Sequence, residues 1–202
     1  VPIPGPVQTK AELRQRMRAA RQALLPAERA ARSARIAERL LALPEVQGAE
    51  QVLFYASLPE EVDTWPLLRV WLARGRLPLL PGVERRGGRL RAAPIRDLVA
   101  DLKPGAFGIL QPDPTRTGAV EWRTIQVAVL PGLAFDLYGY RLGRGAGYYD
   151  RSLPTLVAAA RRIGLAFDCQ VVERLPAEPH DVPVDRIVTE DRIITPRPSG
   201  GT

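Results

Sequence analysis

The sequence predicts an α/β fold, with a mostly parallel sheet covered on both faces and a helical hairpin at the N-terminal end packed against it. Three observations carry this reading. Two amphipathic helical patterns fill residues 9–43, and strand-like and helix-like segments alternate after Gly48. An apolar run from Ile125 to Leu130 (IQVAVL) then stops at Pro131-Gly132, as a buried central strand does.

The elements follow in order. Thr9 and Glu12 have the spacing of a capping box, in which the hydroxyl caps a free N–H and the glutamate reaches back. Leu13, Met17, Ala20 and Leu24 form one apolar stripe behind it. Pro26 ends that pattern and opens a second helix, since proline is tolerated only in a first turn; Ile36, Leu40 and Leu43 are its expected buried face. Gln51 to Ser57 reads as a strand, Thr64 to Ala73 as a short helix and Leu77 to Leu80 as a strand. Gly87-Gly88 reads as a hairpin turn between Val83 and Ala93. Residues 96–118, rich in Pro and Gly and without periodicity, read as a long ordered loop. A helix is expected from Tyr148 to about Arg161, then strands at Ile163 to Phe167 and Ile187 to Thr189.

A chain of 202 residues suffices for one domain with a full core. We expect an extended lead-in at 1–8, one α/β domain over 9–196 and a flexible tail at 197–202. No stretch reaches the roughly 18 consecutive apolar residues of a membrane span, and VPIPGPVQTK lacks the pattern of a signal peptide. A cytoplasmic monomer with no membrane partner is the expectation. The net charge is +7, almost all of the cations are arginine, and Lys10 and Lys103 are the only lysines. That balance favours an anionic ligand. The arginines are dispersed and not interleaved with aromatics, so nucleic acid is not the expected partner. The lone cysteine, Cys169, forms no intrachain disulfide and reads as a small buried hydrophobe.

The stretch richest in chemistry is Arg141-Leu142-Gly143-Arg144-Gly145-Ala146-Gly147-Tyr148-Tyr149-Asp150-Arg151. Alternating glycines free the backbone to take positive φ and approach a ligand closely, and successive N–H groups can converge on an anion. Arg141 and Arg144 add charge suited to phosphate, and Asp150 could hold a divalent cation. The spacing is neither that of a Walker A loop nor that of the dinucleotide fingerprint. On its own it leaves a structural turn and an anion site both open.

RLGRGAGYYDR resembles the signature of the 5-formyltetrahydrofolate cyclo-ligase family. Four further blocks agree in order: Lys10 to Arg14 (KAELR), Tyr55 to Thr64 (YASLPEEVDT), Leu130 to Asp136 (LPGLAFD), and Gly164 to Gln170 (GLAFDCQ) running on to His180-Asp181. The resemblance implies a three-layer α/β/α fold and an ATP- and Mg2+-dependent closure of 5-formyltetrahydrofolate to 5,10-methenyltetrahydrofolate. In it, ATP phosphorylates the formyl oxygen, N10 attacks the activated carbon, and phosphate departs.

By the same resemblance, ATP is expected at Lys10, Arg14 and the segment Arg141, Leu142, Gly143, Arg144, Gly145, Ala146, Gly147, Tyr148 and Tyr149. Folate is expected at Arg14, Ala56, Glu61, Arg144, Gly145, Ala146, Gly147 and Tyr148, with Leu58 packing beside Ala56. Arg144 and Tyr148 are the expected catalytic residues, and Asp150 and Asp181 the expected magnesium ligands. Ala146 stands where some relatives carry lysine, which leaves Arg144 or Arg151 to supply the charge. His180 is not expected to be catalytic. A sugar-phosphate enzyme of similar fold and a non-catalytic folate- or nucleotide-binding protein are the alternative readings.

Overall fold

The computed structural model describes residues 9–84, 88–105, 108–156, 158–178 and 180–198. The lead-in 1–8, Gly87 of the expected turn and most of the expected tail lie outside the described residues.

The chain opens with α1 (Lys10–Gln22) and α2 (Pro26–Ala42). The capping box forms: Glu12 N donates to Thr9 Oγ1 at 3.2 Å and Thr9 N to Glu12 Oε2 at 2.8 Å. Pro26 begins α2 at its first position. Next come α3 (Pro44–Gln47), β1 (Val52–Leu53), α4 (Trp65–Ala73), β2 (Leu79–Val83) and β3 (Leu90–Pro94). Then follow β4 (Leu102–Pro104), β5 (Leu110–Pro112), β6 (Val127–Leu130), β7 (Ala134–Asp136), β8 (Arg141–Leu142) and α5 (Tyr148–Ser152). The last strands are β9 (Arg161–Leu165), β10 (Val171–Val172), β11 (Arg186–Val188) and β12 (Ile193–Ile194).

Seven strands form the central sheet in the order β12-β11-β9-β6-β1-β2-β3. The interior pairs β11/β9, β9/β6, β6/β1 and β1/β2 are parallel, and the two edge pairs are antiparallel. Alternate side chains serve opposite faces. Val127 and Val129 join Val52 and Phe54 beneath α2 and α4, where Ile36, Leu40, Leu68 and Trp71 complete one core. Ala128 and Leu130 join Leu53 on the other face, beneath Phe135 and Leu153. The second covering layer is thin, because the helix expected to reach Arg161 ends at Ser152. Pro154 follows in a 3-10 turn, Leu153–Thr155, and its missing N–H stops the α-helical ladder.

Two other expectations change. The strand at 51–57 keeps only Val52–Leu53 as ladder, and the chain after it turns toward the pocket described below. The expected loop at 96–118 holds an antiparallel pair, β4 with β5. Gln111 Oε1 accepts from Val83 N at 3.1 Å and ties that pair to β2.

Phe135 sets a strict spatial demand. A Cβ on Gly164 would lie 2.3 Å from its ring and one on Gly132 2.6 Å, so the buried ring is wedged between two glycines. Gly164→Ala is therefore expected to destabilise the chain by about 1–3 kcal/mol, the usual cost of overpacking. Thermal unfolding would read this as about 2–4 °C per kcal/mol for a chain of this size. An unchanged Tm would mean that the ring can move aside.

Candidate active site

The sheet reverses its winding at β1. From β1 the chain moves to β2 on one side and later to β6 on the other, so the carboxyl ends of β1 and β6 flank a topological switch point. Open α/β sheets bind ligands in such a crevice. A cavity of about 360 Å³ lies there. Tyr55 and Ala56 after β1 and Pro131, Gly132 and Leu133 after β6 form its floor. Buried Gln170 holds that second turn by donating to the carbonyls of Gly132 and Leu133, each at 2.9 Å.

The glycine loop is delivered by the β7–β8 hairpin. Asp136, wholly buried, accepts from Tyr138 N, Tyr140 N and Leu175 N at 2.9 Å each and so fixes that hairpin's turn. Desolvation pushes its carboxyl pKa up, and the three N–H groups counter it. Gly145 (φ 107°) and Gly147 (φ 66°) take the left-handed conformation that favours glycine, whereas Gly143 does not. A Cβ at Gly147 would also meet the Arg151 guanidinium at 2.8 Å. Because α5 has only five residues, the loop's own N–H groups matter more than a helix dipole.

Every residue expected to bind ATP, folate or metal lines this one cavity, except Leu58. Arg14 donates from Nε to Gly143 O at 3.0 Å and so buttresses the loop from α1. One turn earlier, Lys10 pairs with Glu178 at 3.0 Å and Asp181 at 3.4 Å. Burial opposes its charge, but those carboxylates outweigh it and raise its pKa. Arg144 donates through Nη2 to Glu60 Oε1 and Glu61 Oε1, both at 2.9 Å. Burial would raise the Glu60 pKa, yet the bond from Arg144 leads a net lowering. Glu61 Oε2 also accepts from Leu58 N at 3.1 Å.

The paired tyrosines divide their work. The Arg151 guanidinium lies 5.4 Å from the centre of the Tyr148 ring while donating to Gly88 O and Ala146 O at 2.8 Å each. Arg151 is thereby engaged as a clasp. Tyr149 packs against the second core under Arg141, and desolvation drives its phenol pKa up. Arg141, barely exposed, pairs with Asp150 and donates to Val182 O at 3.3 Å.

Asp150 and Asp181 both face the cavity, each beside a cation. Among the described residues no three of His, Cys, Asp and Glu gather as a metal cage. Two carboxylates suit a magnesium ion that brings phosphate and water as its other ligands, and do not suit an all-protein site.

Several features differ from the sequence expectation. Leu58 does not line the cavity; its backbone N–H orients Glu61 instead. Cys169 is exposed rather than buried, and partial desolvation with the nearby Glu190 raises its thiol pKa. His180 lies at the rim, exposed, 3.2 Å from Glu178. Ile109, Leu110 and Gln111 form a wall that sequence reasoning missed, since three-residue strands carry too little periodicity. Tyr55 was also missed, although it sits in the block that holds Ala56 and Glu61.

Comparison with known proteins agrees over most of the chain. A model of the 5-formyltetrahydrofolate cyclo-ligase family matches residues 6–190. The 5-formyltetrahydrofolate cyclo-ligase of Escherichia coli (strain K12) is 33% identical over 182 residues, covering 88% of this chain and 98% of its own. The Mus musculus protein of the same name is 29% identical, covering 90% and 92%. Among solved structures, the 5,10-methenyltetrahydrofolate synthetase of Aquifex aeolicus superposes with a TM-score of 0.82 at 34% identity, over 96% of each chain.

Proposed function

We infer the activity from a premise of kinship: this chain belongs to the 5-formyltetrahydrofolate cyclo-ligase family. It is an ATP-dependent ligase that converts 5-formyltetrahydrofolate to 5,10-methenyltetrahydrofolate, releasing ADP and phosphate. The observation that best supports a role for these residues is the contact between the glycine loop and the segment after β1, where Arg144 meets Glu60 and Glu61 beside one cavity.

In this reading the formyl oxygen takes the γ-phosphoryl group of ATP, turning a poor electrophile into one with a good leaving group. N10 then bonds to the formyl carbon, the C–O bond breaks, phosphate leaves with that oxygen, and the N10 proton is lost. Such transfer asks a protein for alignment and charge neutralisation rather than a covalent nucleophile. The N–H groups of the loop and the guanidinium groups of Arg14 and Arg144 hold the phosphates, and Lys10 adds charge from α1. Glu61 accepts from the N–H groups of the reduced pterin, Ala56 and Tyr55 pack beneath it, and Tyr148 donates near the transferred oxygen. Asp150 and Asp181 would hold magnesium, which when bound would neutralise phosphate charge.

The test is a direct assay with ATP, magnesium and 5-formyltetrahydrofolate. ADP release should depend on the folate and match methenyl product in amount. ADP release without folate, or none with it, would refute the assignment.

A further inference from the structure

Arg21 has no part in the mechanism above, yet it sits at the edge of the same site. It follows Leu13 and Met17 on the buried stripe of α1 and is only 2% exposed. A guanidinium in such a place is costly unless it is well paired. Among the described residues its Nε has no hydrogen-bond partner. Its ion-pair partners are Glu60 Oε1, 3.7 Å from Nη2, and Glu61 Oε1, 3.9 Å from Nη1. Those distances allow attraction but exceed a hydrogen bond. The 2.9 Å contacts to the same two oxygens belong to Arg144. Two arginines thus share two glutamates, one from inside a helix and the other from an exposed loop.

Leucine or methionine at position 21 would continue the stripe and fill the space, often with no loss of stability. The charge therefore serves something other than packing. If Arg144 turns to the phosphates, Glu60 and Glu61 lose their closer cation while remaining side by side. The other groups facing Glu61 are Tyr55 from the end of β1 and Tyr149 from α5. Both phenols have raised pKa values, first through desolvation and then through Glu61 itself, so they stay neutral. Arg21 is then the cation left beside the pair. Burial pushes its own pKa down and Glu61 pulls it back, yet a guanidinium still keeps its proton.

We propose that Arg21 is a positioning residue that keeps the Glu61 carboxylate aimed into the pocket while Arg144 is engaged with phosphate. The proposal rests on the reading of Glu61 as the acceptor for the pterin. It makes α1 a two-ended device: Lys10 and Arg14 serve the phosphate end, and Arg21 steadies the folate end from the buried face.

The experiment measures kcat and KM for 5-formyltetrahydrofolate at saturating magnesium nucleotide, in the wild type, Arg21→Met, Arg21→Lys and Glu61→Gln. In Arg21→Met the KM for the folate should rise about tenfold, the scale of one lost hydrogen bond to a charged group, while kcat and the KM for ATP change less than about twofold. Arg21→Lys should recover most of that loss. A merely structural role would lower kcat and leave both KM values unmoved, and that result overturns the proposal. If Arg21→Met does not fold, Arg21→Gln takes its place with the same split expected, and a loss of kcat at unchanged KM would overturn the proposal. Glu61→Gln separates the underlying reading: it should raise KM for folate about tenfold or more, with little change for ATP. Equal effects on both ligands would sink the Glu61 reading itself, whatever Arg21 does.

Discussion

Arg144→Ala is expected to lower kcat by about 10²- to 10³-fold, the usual loss when one preorganised donor to a developing charge is removed. The residue is suited to that role by where it stands. It projects from the glycine loop immediately before the positive-φ Gly145 and reaches Glu60 and Glu61 at 2.9 Å. These carboxylates hold its fork at the junction of the two halves of the site. Burial alone would lower the Arg144 pKa; its bonds to Glu61 and Glu60 reverse that and raise it. Removing the side chain should leave the fold intact, because Arg144 is part-exposed and belongs to no core cluster among the described residues. Arg144→Lys should recover only part of the rate, since a lysine brings charge without the planar fork. Single-turnover measurement with bound ATP would locate the loss in chemistry. Wild-type kcat in the alanine variant would remove Arg144 from the mechanism.

The fold was legible where local physics decides it. Thr9 with Glu12 and Pro26 at the start of α2 each depend on neighbours within four residues and appear as expected. Of the stripe Leu13, Met17, Ala20 and Leu24, the first two are buried and Arg21 takes the next buried place. β6 was legible because only a strand buried on both faces reads as an unbroken apolar run. The helix after Tyr148 stops at Ser152, short of the expected Arg161, because Pro154 interrupts it. The β4–β5 pair was illegible for a different reason: each strand is three residues long and carries proline. The site divides in the same way. Its glycine loop is contiguous and could be read, and the blocks around Lys10, Glu61 and Asp181 could be read only through family resemblance. What binds those blocks to one another could not be read at all. The Arg144–Glu60 contact spans 84 residues in sequence, and no local pattern reports a pair so separated. Arg21 shows the limit most clearly, because an arginine interrupting an apolar stripe looks like a helix turning back to water until its partners are seen.

Asp150→Ala is expected to reduce kcat/KM for magnesium ATP by about a hundredfold or more, which is ~2.7 kcal/mol of lost transition-state stabilisation. Two roles are folded together in this carboxylate. It is the partner of Arg141, whose guanidinium is barely exposed, also donates to Val182 O and lies over Tyr149. It also faces the cavity with Asp181, as one of two carboxylates that suit a metal completed by phosphate and water. Asp150→Asn separates the roles, since the amide oxygen can still accept from Arg141 while the negative charge is lost. If the charge serves magnesium, calorimetry on Asp150→Asn should show nucleotide binding that has lost most of its dependence on magnesium, while the Tm stays close to wild type. If the carboxylate only steadies Arg141, the asparagine variant should keep the magnesium dependence of the wild type, and Asp150→Ala alone should lower both Tm and rate. The second pattern would leave Asp181 as the remaining candidate ligand. It would also make Arg141, at the head of the glycine loop, the residue through which Asp150 acts.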